Sequence, residues 1–219
     1  MATNPHPADT ALRRVQIAIL AKAPVPGYAK TRLIPALGPA GAARLHRHLA
    51  LRTLRTALAA GLGPVTLWCA PDPQHRFFRA VRHATGVRCL PQPTGDLGAR
   101  MHAAFVEAAG PLLLAGTDCP PLTPAHLRAA ALRLLAGEDA VLHPAEDGGY
   151  VLVGLPCPQA GLFNDMVWGT DSVMARTRER AAGLGLRLHE AETLWDVDEP
   201  ADLARAGFQG RAGPSKPPA

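Results

Sequence analysis

Acids and cations in this chain gather where apolar runs stop. The run VQIAIL leads into AKAPVPGYAKTRL (21–33), which carries Lys22, Lys30 and Arg32 in a loop of proline and glycine breaks. Lysine is a compact point charge and arginine a planar fork, so these cations could close around a diphosphate. A solvated basic loop is the plainer alternative. The loop is not a Walker motif: Gly27 stands three residues before Lys30, and no Gly-Lys-Ser/Thr run follows. Nor does it hold a GxGxxG dinucleotide fingerprint.

The run PLLLAGTD (111–118) stops at Asp118, which GTDCPPL fixes in a proline turn. A carboxylate there could coordinate Mg²⁺ or Mn²⁺ bridging nucleotide phosphates. Helix capping is the alternative, but Thr123 already fills that place. WDVDEPADL (195–203) supplies Asp196 and Asp198, which face one side of an extended segment. Either could be the second metal ligand, although local sequence cannot bring them to Asp118. Asp202 reads as a first-turn acid complementing a helix dipole.

Three further stretches offer contacts. HPAEDGGY (143–150) holds His143, Glu146 and Asp147 before two glycines that permit close approach or a tight turn. Asp147 could accept hydrogen bonds from a sugar or act as a base. QPTGDLGARM (92–101) puts Asp96 and Arg100 at a helix start, where an anion could bind; capping plus a surface arginine is the alternative. Trp168, in VWGTDSV, could stack on a base or ring, or simply pack. Cys119 beside Asp118 lacks a cation that would lower its pKa, so it is not expected to be a nucleophile. His46 and His48 lie among arginines and read as surface residues.

These residues need a scaffold, and the pattern alternates strand and helix. Strands are expected at 15–21, 65–70, 111–118, 140–145 and after the DGG turn, with shorter ones at 87–92, 186–191 and 193–197. Helices are expected at 40–60, 73–84, after Asp96, from Thr123 to Gly137, from Asp171 or Ser172 to Gly183, and after Pro200. Continuous apolar strands covered by helices predict an α/β domain with a mostly parallel sheet, whose ligands bind beyond the strands' carboxyl ends.

The chain has 219 residues, enough for one domain with a substantial core. Residues 1–13 are expected to be a flexible leader, 14–208 the domain and 209–219 a flexible tail. Charged residues make up 19% and net charge is only +5, with no basic stripe interleaved with aromatics, so nucleic acid is not expected as a partner. No apolar run is long enough to span a membrane, and the N-terminus lacks a signal peptide's apolar core. Cys69, Cys89, Cys119 and Cys157 form no CxxC pair, so a zinc knuckle is not indicated; reduced thiols and cytoplasmic residence are the expectation.

In order, AKAPVPGYAKTRL, PTGDLGARM, GTDCPPL, AEDGGYVLVG, WGTDSV and WDVDEPADL resemble the DUF2064, or glycosyltransferase-A-like, family of the nucleotide-diphospho-sugar transferase (GT-A) superfamily. The likeness spans residues 14 to 204, and it extends to small guanylyltransferases. It implies one doubly wound α/β domain of GT-A-like fold that binds a nucleotide through Mg²⁺ or Mn²⁺. By position, Asp118 matches the metal acid and Asp198 its partner, with Asp196 as the substitute. Lys22, Lys30 and Arg32 match the phosphate-contacting loop, and Asp147 lies where the acceptor would be held. Glycosyltransferases of this fold carry an acid-x-acid pair, whereas position 116 here is glycine. The resemblance implies a transferase moving a sugar from a nucleotide sugar to a small-molecule acceptor. The alternatives are transfer of a nucleoside monophosphate from a triphosphate to a small phosphorylated acceptor, and a non-catalytic nucleotide-binding module. Association into a homo-oligomer stays open.

Overall fold

The computed structural model describes residues 7–208, so most of the expected leader and all of the expected tail lie outside the described residues. Residues Pro7–Leu12 of the leader form a helix (α1), and Leu12 is buried in the core. Its apolar side chain, just before the first strand, ties this turn down.

A seven-stranded sheet organises the rest, in the order β3-β2-β1-β4-β6-β5-β7. The strands are β1 (Gln16–Lys22), β2 (Val65–Ala70), β3 (Arg88–Pro91), β4 (Leu112–Ala115), β5 (Ala140–Pro144), β6 (Tyr150–Leu155) and β7 (Leu188–Glu190). All pairings are parallel except those of β6, which runs against both β4 and β5. The sheet is thus mostly parallel, as expected. The reversal follows from the short turn at Asp147 to Gly149, which can join only antiparallel neighbours.

Helices cover both faces: α2 (Ile34–Ala59), α3 (Arg76–Thr85), α4 (Leu97–Ala108), α5 (Pro124–Leu135) and α6 (Val173–Gly183), with a short α7 (Asp202–Arg205) at the end. Alternate strand residues supply the two cores. Ile17, Ile19 and Leu113 pack with Leu54 of α2 and Leu127 of α5; Ala18, Leu112 and Leu114 pack with Phe105 of α4 and Met174 of α6. That two-sided burial is why the strands read as unbroken apolar runs.

Two segments differ from expectation. β4 ends at Ala115, leaving Asp118 in a loop beyond it. Residues 193–197 form no strand: only Leu194 bridges to Ala145, and Val197 instead donates its N–H to the Asp118 carbonyl. The segment divides its backbone bonds between the end of β5 and the loop after β4, so no ladder develops. All the cysteines are free thiols. Among the described residues, no helix is long and apolar enough to cross a membrane.

The turn into β6 is pinned to the start of α6. Gly148 sits at φ +87°, its carbonyl accepts from Met174 N–H at 2.8 Å, and an added Cβ would lie 2.2 Å from the Asp171 carbonyl oxygen. Neither the backbone angle nor the space admits a side chain. Gly148→Ala should cost about 2–4 kcal/mol of stability, measured by urea unfolding.

Candidate active site

A cavity of about 600 Å³ opens at the carboxyl ends of β1, β3, β4 and β5 and the start of the reversed β6. This is where a sheet of this kind is expected to bind ligands. Lys22, Lys30, Arg32, Arg100, Asp118, Asp147, Trp168, Asp196 and Asp198 all line it. Asp96 does not. Its carboxylate is committed to α4, accepting from Ala99 N–H at 2.8 Å as the helix cap. The expected ligand contact at Asp96 is therefore replaced by a structural one.

The centre of the site is a buried lysine. Lys30 has left-handed backbone angles (φ 52°, ψ 47°) and leads into a 3₁₀ turn, Thr31–Leu33, anchored by the buried Leu33. Its ammonium donates to Asp118 Oδ2 at 2.8 Å, to the Val197 carbonyl, and to Asp198 Oδ1 at 3.4 Å. Arg32 holds the other Asp198 oxygen, Oδ2, at 2.5 Å. Together with the Val197–Asp118 backbone bond, these contacts close a separation the sequence left open. Lys30 faces the acids here, in contrast to the expected phosphate-facing orientation, because all its N–H directions find oxygen acceptors in the carboxylates and the Val197 carbonyl.

Asp118 is enclosed yet keeps 39% of its side-chain surface open to the cavity. Burial works against its charge, but Lys30, His46 and the Thr117 hydroxyl outweigh burial and hold the carboxyl below its ordinary value. His46 is a correction. Although flanked by arginines, it lies on the inward face of α2 with Ala42, Leu45 and Leu49, and is only 3% exposed. Burial lowers its pKa, opposed by Asp118. Its Nε2 pairs with the Lys22 carbonyl at 2.9 Å, and its Nδ1 lies 3.8 Å from Asp118 Oδ1. His48 is exposed, as expected.

Asp196 stands among these acids without a cation of its own. Burial and then the Asp147 charge push its carboxyl up to about 6, with Asp118 and Asp198 adding to the repulsion and Lys30 opposing it. Asp147 is exposed, and its Oδ1 accepts from Gly149 N–H at 2.9 Å. Glu146 takes no part in the cavity: Arg205 grips both its oxygens, at 2.6 and 2.9 Å, and stacks on Trp195. His143 is also outside, buried against the Glu192 carbonyl. Burial pushes the Cys119 thiol up to about 12, which removes it as a nucleophile.

The remaining cations belong to the other half of the sheet. Lys22, at the end of β1, lies over the Tyr28 ring, 5.9 Å from its centroid. Arg100 donates to the Gly95 carbonyl and to Gln92 Oε1, each at 3.2 Å. Gln92 is in turn fixed to the Ala21 and Trp68 carbonyls, at 3.2 and 2.9 Å, and so splices the ends of β1 and β2. Sequence reading passed over Gln92, although it follows a strand just as the chosen residues do. Trp168 lines the cavity with its indole wedged beside Gly98 and edge-on to Tyr150.

Hard carboxylate oxygens suit Mg²⁺ or Mn²⁺, and the repulsion on Asp196 marks negative charge that a cation would relieve. Among the described residues, no group of three His, Cys, Asp or Glu side chains is arranged to hold an ion alone.

A family model described as an uncharacterized protein conserved in bacteria (DUF2064) matches residues 53–170. A phosphoenolpyruvate guanylyltransferase from Rubrobacter xylanophilus is 32% identical over 189 residues, 83% of this chain and 89% of the relative. Among solved structures, a protein assigned as a nucleotide-diphospho-sugar transferase from Desulfovibrio desulfuricans G20 is similar with a TM-score of 0.78 and 26% identity, over 91% of this chain and 89% of that one. The inositol-1-phosphate CTP transferase from T. maritima is similar in fold, with a TM-score of 0.58 and 12% identity over 90% and 94% of the two chains.

The crowding at Asp196 has a pH signature. A carboxyl that titrates near 4 when unfolded and about 6 when folded contributes stability at low pH that is lost as pH rises through 6. In metal-free buffer, Asp196→Asn should match wild type near pH 4. Above pH 6 it should be more stable by about 1 kcal/mol, discounted for solvent screening. Thermal unfolding across that range checks both ends.

Proposed function

The chain belongs to the DUF2064 family and is a transferase, and on that footing we propose that it moves a nucleoside monophosphate from a triphosphate to a small phosphorylated acceptor. The observation that carries this reading is the division of charge across one cavity. Lys22 and Arg100 come from the β1 and β3 side, while Asp118, Asp147, Asp196 and Asp198, the last paired with Arg32, come from the loops after β4 and β5 and from the C-terminal segment. The cations suit a triphosphate. In the reaction, an acceptor oxygen attacks the α-phosphorus and the bond to pyrophosphate breaks. Positioning and charge stabilisation supply most of the rate in such transfers. A divalent cation bound by Asp118 with Asp198 or Asp196 would neutralise charge on the phosphates. Asp147, on the exposed turn, would face the acceptor, and Trp168 would bound the space beside it.

Nucleotidyl transfer replaces glycosyl transfer as the preferred reading for two reasons. The guanylyltransferase relative spans most of the chain. Gly116 lines the cavity where the acid-x-acid pair of a glycosyltransferase would place its first acid, and an added Cβ there would meet nothing within 4 Å. Glycosyl transfer keeps some support from the neighbour assigned as a nucleotide-diphospho-sugar transferase.

The test is acceptor-dependent release of pyrophosphate from each common ribonucleoside triphosphate, with Mg²⁺ or Mn²⁺ and small phosphorylated acids, phosphoenolpyruvate and GTP among them. Chelation should abolish the activity. Asp118→Asn should lower it by about 10²–10³-fold with the fold retained by circular dichroism. Turnover of a nucleotide sugar, with no pyrophosphate from any triphosphate, would overturn the reading.

A further inference from the structure

Lys30 is the one cavity cation whose donors are all committed to protein oxygens among the contacts described: Asp118 Oδ2, Asp198 Oδ1 and the Val197 carbonyl. Its side chain is 3% exposed, whereas the carboxylates it joins keep 39% and 41% of their surfaces open. An ammonium so placed has no N–H to offer a phosphate. It does supply what these acids require, since carboxylates brought together without a cation repel strongly. A divalent cation bound by Asp118 and Asp198 would answer the same need. Lysine and ion would then compete for one pair of carboxylates.

Resting on the metal-assisted transfer proposed above, we propose that Lys30 is an exchangeable counter-ion. Its ammonium neutralises Asp118 and Asp198 in the metal-free protein, yields them to the arriving divalent cation, and turns to the nucleotide's phosphates.

Two features of the loop make the exchange workable. The root of Lys30 is fixed, because its carbonyl accepts from Leu33 N–H at 3.0 Å and Leu33 is fully buried. Only the flexible four-carbon stem and its rotatable ammonium need to swing. Asp198 is not released when they do, because Arg32, 63% exposed on the outer side, holds Oδ2 independently. The cost of parting Lys30 from its carboxylates also makes the ion and the nucleotide bind best together.

Mn²⁺ titration of the full chain, followed by the electron paramagnetic resonance of free Mn²⁺, reads the exchange without any turnover. Lys30→Gln removes the charge and keeps an N–H for the Val197 carbonyl. It should bind Mn²⁺ alone about tenfold more tightly than wild type, since the ion no longer displaces a cation. The same variant should bind triphosphate in the presence of Mn²⁺ about tenfold more weakly, having lost a phosphate contact. Lys22→Gln controls for general loss of positive charge and should leave binding of Mn²⁺ alone unchanged. Lys30→Arg keeps the charge and should bind Mn²⁺ no more tightly than wild type, which guards against a folding defect in the glutamine variant. Unchanged or weaker Mn²⁺ binding by Lys30→Gln would overturn the exchange, as would unchanged triphosphate binding. A wild-type protein that binds no triphosphate would overturn the nucleotidyltransferase reading itself, while the arm with Mn²⁺ alone still judges the competition at Asp118 and Asp198.

Discussion

Keeping several carboxylates charged in one partly enclosed cavity is the problem around which this end of the molecule is built. The solution is local neutralisation by Lys30, with Arg32 behind it. Neither contact is strong in isolation, because partly exposed ion pairs are screened by water. Their strength lies in what they connect. Lys30 belongs to the loop after β1, Asp118 to the loop after β4, and Asp198 to the C-terminal segment. An apolar cluster of Leu33, Leu45, Leu49, Val197 and Leu203 sits beneath the same junction. Hydrophobic packing brings the segments together, and the charges then choose their register.

The sheet order gives that junction its chemistry. β1 lies between β2 and β4, so a loop leaving β1 can face cations on one side and acids on the other. Gln92 secures the cationic side by joining the Ala21 and Trp68 carbonyls and supporting Arg100. The reversed β6 secures the acidic side, since its turn carries Asp147 and is clamped to α6 through Gly148. Glu146 and Arg205 lock the last short helix to that turn. The C-terminal acids are held by distant parts of the chain and by their own segment, where the Asp202 carboxylate accepts from the Asp198 and Glu199 N–H groups at 2.9 and 2.7 Å.

Much of the fold was legible because it is written in local signals. VQIAIL and VTLWCA are strands buried on both faces, and Asp96 and Thr123 cap helices as their positions imply. That Asp118 lies at the carboxyl edge of the sheet followed from the strand before it, whereas Asp196 and Asp198 reach that edge through contacts the sequence does not show. What local signals could not carry was orientation. Lys30 and Lys22 look equivalent in the sequence, yet one turns inward and the other outward. His46 has arginine neighbours but belongs to the inward face of its helix. The segment 193–197 has the composition of a strand, but its backbone partners are split between two loops. Each of these depends on contacts between residues far apart in the chain.

Protonation states in the cavity also bear on what kind of acceptor it can serve. Burial lowers the pKa of His46, and its Nε2 is committed to the Lys22 carbonyl. The Tyr150 hydroxyl is shifted upward by burial, as is the Cys119 thiol. Neither the hydroxyl nor the thiol can take a proton near neutral pH, and that role falls to Asp196, whose carboxyl is pushed up to about 6. An acceptor that arrives already ionised needs no such base, and a phosphate oxygen meets that condition. Asp147 is the one acid of the group on an exposed turn, where it can orient an acceptor without being drawn into the Lys30 pair. A site that sets paired acids opposite the cations Lys22 and Arg100 is suited to aligning charged groups. That is the principal demand of phosphoryl chemistry.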